Sequence, residues 1–283
     1  MHGKLYIVAT PIGNLSDMTP RGIQTLTDAD MIAAEDTRHS KVLLSYFGIK
    51  TPTFSCHKFN EEKRGDFFIT SLKEGKSIAL ISDAGTPCIS DPGHRLVKMA
   101  YEAGIEVISI CGANAVAAAL SVSGFDASQF MFLGFLPRSA KEIEKKFTPF
   151  HFPHPIVFYE SPLRITKTLA WMAENYPVAD ICLCNDLTKR YERIYRGSPE
   201  TILEELMQNP NAGKGEYTCV TCLNAEEETE DIEDLSLEAQ LVDIIVKHSC
   251  TLKDAANILH KNSTGVNRKT IYTAMLKVKE LLQ

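Results

Sequence analysis

Five short apolar runs, Leu5–Ala9, Met31–Ala34, Thr53–Ser55, Ser77–Ile81 and Glu106–Ile110, alternate with stretches of helical periodicity near Thr19–Thr27, Arg38–Phe47, Glu61–Lys73 and Gly93–Ala103. Runs this short, bounded by Gly, Pro, Asp and Asn, read as buried strands. Strands that alternate with helices form a mainly parallel sheet, because a parallel pair needs a crossover long enough to hold a helix. A parallel sheet gathers the loops that follow its strands at one edge, where open α/β folds bind ligands. The pattern therefore directs attention to four loops: Thr10-Pro11-Ile12-Gly13-Asn14-Leu15, Glu35-Asp36-Thr37-Arg38-His39, the long stretch Ser82–Gly93, and Cys111-Gly112-Ala113-Asn114-Ala115.

Ser82–Gly93 reads S-D-A-G-T-P-C-I-S-D-P-G directly after a strand-like run. Asp83 can accept two hydrogen bonds, Gly85 permits backbone geometry closed to other residues, and Pro87 and Pro92 fix φ on either side. The stretch has no lysine and neither the G-x-x-x-x-G-K nor the G-x-G-x-x-G spacing, so it is not a triphosphate or dinucleotide cradle.

A second alternation begins near Phe130. Strands at Phe130–Gly134, Ile156–Tyr159, Ile181–Cys184, Arg193–Arg196 and Tyr217–Leu223 intersperse with helices near Ala140–Lys146, Leu163–Glu174 and Pro199–Met207. The expected organisation is an α/β domain over residues 1–115 and a second α/β domain, with a mixed sheet allowed, over residues 116–224 that completes a ligand cleft. Seven of the nine residues from Glu226 to Asp234 are acidic, so residues 225–235 read as a solvated linker. Residues 236–283 resume helical spacing in three segments, Leu237–His248, Leu252–His260 and Asn267–Leu282. They carry seven Lys or Arg against four Asp or Glu, a net of +3 in a chain whose total is −6. That is the cadence of a small helix-turn-helix domain with a nucleic-acid leaning; a helical cap or dimerisation arm is the alternative.

With 283 residues and 44% hydrophobic content the chain can bury ample core, and it has no run of eighteen apolar residues, so no membrane association is expected. The eight cysteines fall mostly within apolar runs, which suits reduced thiols and a cytoplasmic location. Cys219-x-x-Cys222 has no second pair at zinc spacing and would point to opposite faces of a strand, so no metal is expected.

The motifs V-A-T-P-I-G-N-L from Val8, A-A-E-D-T-R from Ala33, the Ser82–Gly93 stretch, G-F-L-P from Gly134, F-Y-E-S-P-x-R from Phe158, L-T-K from Leu187 and K-G-E from Lys214 occur in this order over essentially the whole chain. Together they resemble the ribosomal RNA small-subunit methyltransferase I family, which has the tetrapyrrole methylase fold. The resemblance implies a two-domain tetrapyrrole-methylase-like α/β fold with the helical tail appended. It implies an S-adenosylmethionine-dependent enzyme that methylates the ribose 2′-hydroxyl of a cytidine in the decoding region of 16S ribosomal RNA, on naked RNA or the 30S particle, and a homodimer. It implies a cofactor site formed by Pro11, Ile12, Gly13, Asp83, Ala84, Gly85, Thr86, Asn114, Ala115, Tyr159 and Gly215. Two positions depart from the family's usual pattern: Cys111-Gly112-Ala113 stands for Pro-Gly-Pro, and Asn185-Asp186 for Arg-Glu before Leu-Thr-Lys.

The residues suit that chemistry on their own terms. S-adenosylmethionine has a sulfonium cation and no phosphate, so backbone groups and apolar walls serve it better than a lysine-tipped loop. The methyl is already activated, which leaves the protein to align the hydroxyl and take its proton. Glu35, Asp36 and Lys189 are the candidates for that work. Arg38 and Arg164 are better matched to phosphate. Because the chain is net acidic, RNA contacts would have to be concentrated, in Arg21, Arg38, His39, His57, Arg138, Arg164 and the tail's Arg268 and Lys269. Two other classes stay open: a methylase of a small tetrapyrrole, which would not require the basic tail, and a non-catalytic nucleic-acid-binding regulator, which would leave the polar loops unexplained.

Overall fold

The computed structural model describes residues 2–58, 61–147, 154–223, 236–248, 250–262 and 267–281. Two compact units make up the chain, Met1–Asn224 and Ala225–Gln283. The expected acidic linker, residues 225–235, lies outside the described residues.

The larger unit holds two five-stranded sheets. The first comprises β1 (Lys4–Val8), β2 (Met31–Ala34), β3 (Thr53–Ser55), β4 (Ile78–Ile81) and β5 (Glu106–Ile110), in the order β3-β2-β4-β1-β5. Every pairing in it is parallel. β2 and β4 are buried along their full length, as strands covered on both faces must be. Ile32, Ala34, Ala79 and Ile81 face a core with Leu26 of α1 (Pro20–Asp28) and Leu44 of α2 (Thr37–Tyr46). Ala33, Ile78 and Leu80 face the other core, with Phe68 and Leu72 of α3 (Glu61–Lys73) and Leu96 of α4 (His94–Glu102). Strand alternation thus sends successive side chains to helices on opposite faces.

The second sheet is mixed. It runs β6-β7-β10-β8-β9, with β6 (Met131–Phe135) parallel to β7 (Ile156–Glu160) and the remaining neighbours, β8 (Asp180–Asn185), β9 (Arg193–Gly197) and β10 (Tyr217–Cys222), antiparallel. One face packs on α6 (Ala140–Phe147), α7 (Ile165–Asn175) and α8 (Pro199–Gln208) through Phe147, Leu169, Ile202 and Leu206. The other face takes α5 (Ala115–Ser123) through Val116, Ala119 and Leu120. Because α5 belongs to this second core, the change from one sheet's core to the other comes beside Asn114.

Cys182, Cys184 and Cys219 are buried thiols within this sheet, whereas Cys111 is exposed. The smaller unit consists of α9 (Leu237–His248), α10 (Leu252–Asn262) and α11 (Arg268–Leu281), closed over Leu241, Ala255, Leu259, Ile271, Ala274 and Val278. No helix among the described residues is long and apolar enough to cross a membrane.

Candidate active site

The loops at the strand ends of the first sheet are tied to one another before any ligand is considered. Thr10 and Gly85 exchange backbone hydrogen bonds of 2.9 and 3.0 Å, joining the β1 loop to the β4 loop. Asp83 Oδ1 accepts from the Asp36 N–H at 3.1 Å, joining the β4 loop to the β2 loop. The Thr86 hydroxyl donates to the Ala113 carbonyl at 3.2 Å, joining it to the β5 loop. Gly85 has φ +79°, which a side chain would resist, and a Cβ there would stand 3.3 Å from Ile12. At the β5 end, Asn114 caps α5 by accepting from the N–H groups of Val116 and Ala117.

These loops and the second sheet enclose a cleft of about 430 Å³ within the larger unit. From the first half come Ile12, Glu35, Asp83, Ala84, Gly85, Thr86, Asp91 and Asn114. From the second come Phe135, Tyr159, Glu160, Glu216 and Thr218. Five carboxylates line it, Glu35, Asp83, Asp91, Glu160 and Glu216, and no lysine or arginine does among the described residues. Such a cleft attracts a cation and repels phosphate.

The carboxylates are not equivalent. Burial, reinforced by the charge of Asp83, raises the Glu35 pKa above the usual carboxylate range. Burial and then the charge of Glu35 push Asp91 up to about 6. Glu160 is buried beneath the cleft, where it accepts from Thr168 Oγ1 at 2.8 Å and the Ser161 N–H at 2.8 Å and pairs with Arg164 at 3.2 Å. Tyr159 is held protonated, its pKa pushed up to about 12 by burial and by Asp91 and Glu216.

Of the expected cofactor residues, Ile12, Asp83, Ala84, Gly85, Thr86, Asn114, Ala115 and Tyr159 line the cleft. Pro11, Gly13 and Gly215 are not among its lining residues. A Cβ on Gly13 would come within 2.9 Å of the Leu187 carbonyl, and one on Gly215 within 2.6 Å of the Asp186 carboxylate. Both glycines thus make room for the 186–189 turn, in which Asp186 and Thr188 take positive φ.

Among the expected proton-handling residues, Glu35 reaches the cleft. The Asp36 carboxylate instead caps α2, bonds Arg38, and is held down at about 2 by that guanidinium. Lys189 is fixed at 2.8 Å from both Asp186 and Glu216. Burial lowers its pKa, but the hydrogen bonds to Asp186 and Glu216 outweigh that and keep it raised, so it is an ammonium and not a base. It bears on the cleft through Glu216.

The expected RNA contacts divide. Arg21, Arg38, His39 and Arg138 are exposed, and His57 is half-buried near Glu35. Arg164 turns inward, donating to the carbonyls of Leu136 and Pro137 while it pairs with Glu160. Arg268 and Lys269 open α11 and, with His260 and Tyr272, line a shallow groove of the smaller unit. Asp91, Glu160, Glu216 and Phe135 were not among the expected site residues, although each lies inside a motif quoted above; their place follows from chain bends that no motif reveals.

Residues 4–203 match the family described as Tetrapyrrole (Corrin/Porphyrin) Methylases. The chain is 41% identical, over 91% of its own length and 91% of the relative's, to the Ribosomal RNA small subunit methyltransferase I of Haemophilus influenzae. Among solved structures it is similar to diphthine synthase, with a TM-score of 0.61 at 13% identity over 78% of this chain and 90% of that one. It is also similar to uroporphyrin-III C-methyl transferase of Thermus thermophilus complexed with S-adenyl homocysteine, with a TM-score of 0.54 at 14% identity over 77% of this chain and 97% of that one.

Proposed function

Since the chain belongs to the tetrapyrrole methylases and, within them, to the ribosomal RNA small subunit methyltransferase I family, we propose that it methylates small-subunit ribosomal RNA with S-adenosylmethionine as donor, at the 2′-hydroxyl of a decoding-region cytidine. The observation that carries this reading is the cleft itself: ligand-sized, tied together by backbone, and lined by five carboxylates with no lysine or arginine in its wall among the described residues. A donor that is cationic at sulfur and amine and carries no phosphate fits such a lining. Asp83, Gly85, Thr86 and Asn114 would hold its polar groups, with Ile12 and Tyr159 as apolar walls. When bound, S-adenosylmethionine supplies a methyl made electrophilic by the sulfonium.

The chain's own task is then to orient a ribose hydroxyl and accept its proton. Glu35 is the proposed acceptor, because it lies in the cleft with a raised pKa, and a stronger carboxylate base takes a hydroxyl proton more readily. Burial and the charge of Asp83 keep Glu35 basic. Lys189 anchors Glu216 on the opposite wall. The substrate is naked small-subunit RNA or the 30S particle, the enzyme acts in the cytoplasm, and it works as a homodimer.

Incubation with methyl-labelled S-adenosylmethionine and either isolated small subunits or a uroporphyrin-type macrocycle tests the reading. Label in the RNA, at a ribose 2′-oxygen after nuclease digestion, is the expected result. Label in the macrocycle, or none, would overturn it.

A further inference from the structure

The parallel pairing of β6 with β7 runs Met131 opposite Ile156 and Phe132 opposite Val157, and then slips, so that Phe135 and not Gly134 stands opposite Tyr159. One inserted residue turns a side chain to the other face of a sheet. Without the slip, Phe135 would follow Leu133 into the core under α7 and α8. With it, Phe135 joins Phe132 against the Tyr159 ring, with centroids 5.5 and 5.0 Å away, on the side that faces the cleft.

Gly134 makes the bend at φ +65°, where a Cβ would stand 3.0 Å from the Ser90 hydroxyl of the cleft's longest loop. Arg164, itself paired to buried Glu160, holds the carbonyls of the two residues that follow Phe135. The result is a supported phenyl ring, 62% exposed, at a cleft whose other walls are acidic.

We propose that Phe135 is the platform on which the nucleobase of the target nucleotide stacks, which would set the ribose over Glu35. The proposal rests on the RNA-methylating reading above. A phosphate backbone is repelled by the carboxylates of the cleft, so the group brought against this wall must be the uncharged part of the nucleotide. A nucleotide taken out of its stack regains stacking on an aromatic face.

The test compares the wild-type chain with Phe135→Leu, Phe135→Ala and Phe135→Trp, measuring S-adenosylmethionine affinity by calorimetry and label transfer to isolated small ribosomal subunits. The leucine and alanine variants should bind S-adenosylmethionine within about twofold of wild type, yet lose roughly tenfold or more in kcat/KM for the subunit. The tryptophan variant should retain most of the activity. Full activity in Phe135→Leu would show that only bulk is needed. A loss of cofactor affinity equal to the loss of activity would make the ring a cofactor wall. Either result overturns the proposal while leaving the RNA reading intact. If the wild-type chain itself transfers no label to RNA, the RNA reading fails and this proposal with it.

Discussion

Asp91 is a charge that the fold penalises and the cleft retains. Its folded pKa, about 6, lies above its ordinary value of 3.8, so the folded state holds the proton more tightly than the unfolded chain does. That contribution to stability is present at low pH and is lost as pH rises through about 6. Asp91→Asn should therefore stabilise the free protein by about 1–2 kcal/mol near pH 8, after allowance for solvent screening, and by almost nothing at about pH 4. Urea melts at the two pH values check it; an equal gain at both would mean the carboxylate is not strained. The proposed role of Glu35 ties the rate to pH as well. A proton acceptor works only when ionised, so single-turnover methylation should climb as pH rises through the range in which Glu35 and Asp91 lose their protons. A flat profile there would remove Glu35 from that role. Asp83 already serves as an acceptor, for the Asp36 N–H. Asp83→Ala should weaken S-adenosylmethionine binding by about 1–3 kcal/mol, read by calorimetry.

At the level of elements, Glu61 shows how the long loop is held. Gly93, at the N-cap of helix α4, has no side chain to cap it, and Glu61 at the start of α3 supplies the missing acceptor. Its buried Oε1 receives the N–H groups of Gly93, Arg95 and Leu96 at 3.1, 2.9 and 3.2 Å. Glu61→Ala should cost about 2–4 kcal/mol in urea denaturation, and Glu61→Gln, which keeps one carbonyl oxygen, about half of that. Equal losses would show that charge, not the acceptor, matters. This pairing was invisible in sequence, since nothing in the pattern joins residue 61 to residue 93. The strands were legible because they are short, apolar and bounded by turn residues. Helix α5 was not: Ala115-Val116-Ala117-Ala118-Ala119-Leu120 has little polar face to set a period, so the sequence marks no element there beyond the Cys111–Ala115 loop, and the helix is packed among apolar neighbours. Residue roles were harder still. Adjacent Glu35 and Asp36 look equivalent in sequence, yet the end of β2 turns the first into the cleft while the second caps α2.

The two units of the molecule differ in charge. Residues 236–283 sum to +3 and the preceding residues to −9, and each unit closes its own core, the smaller over Leu241, Leu259, Ile271 and Val278. The cleft and the residues that shape it all lie within Met1–Asn224. A chain ending at Asn224 should therefore fold and bind S-adenosylmethionine with unchanged affinity. It should methylate small subunits poorly, because it has lost its net-basic tail and keeps a body of net charge −9 that phosphate avoids. Salt tells the cause apart from general damage: if Arg268, Lys269 and their neighbours neutralise phosphates, removing them also flattens the dependence of RNA affinity on salt, by roughly one in slope for each phosphate no longer neutralised. Filter binding of small-subunit RNA from about 50 to 200 mM salt gives that slope. A truncated chain that loses S-adenosylmethionine binding would make the tail a structural cap, and one that keeps both activity and slope would make it dispensable for RNA.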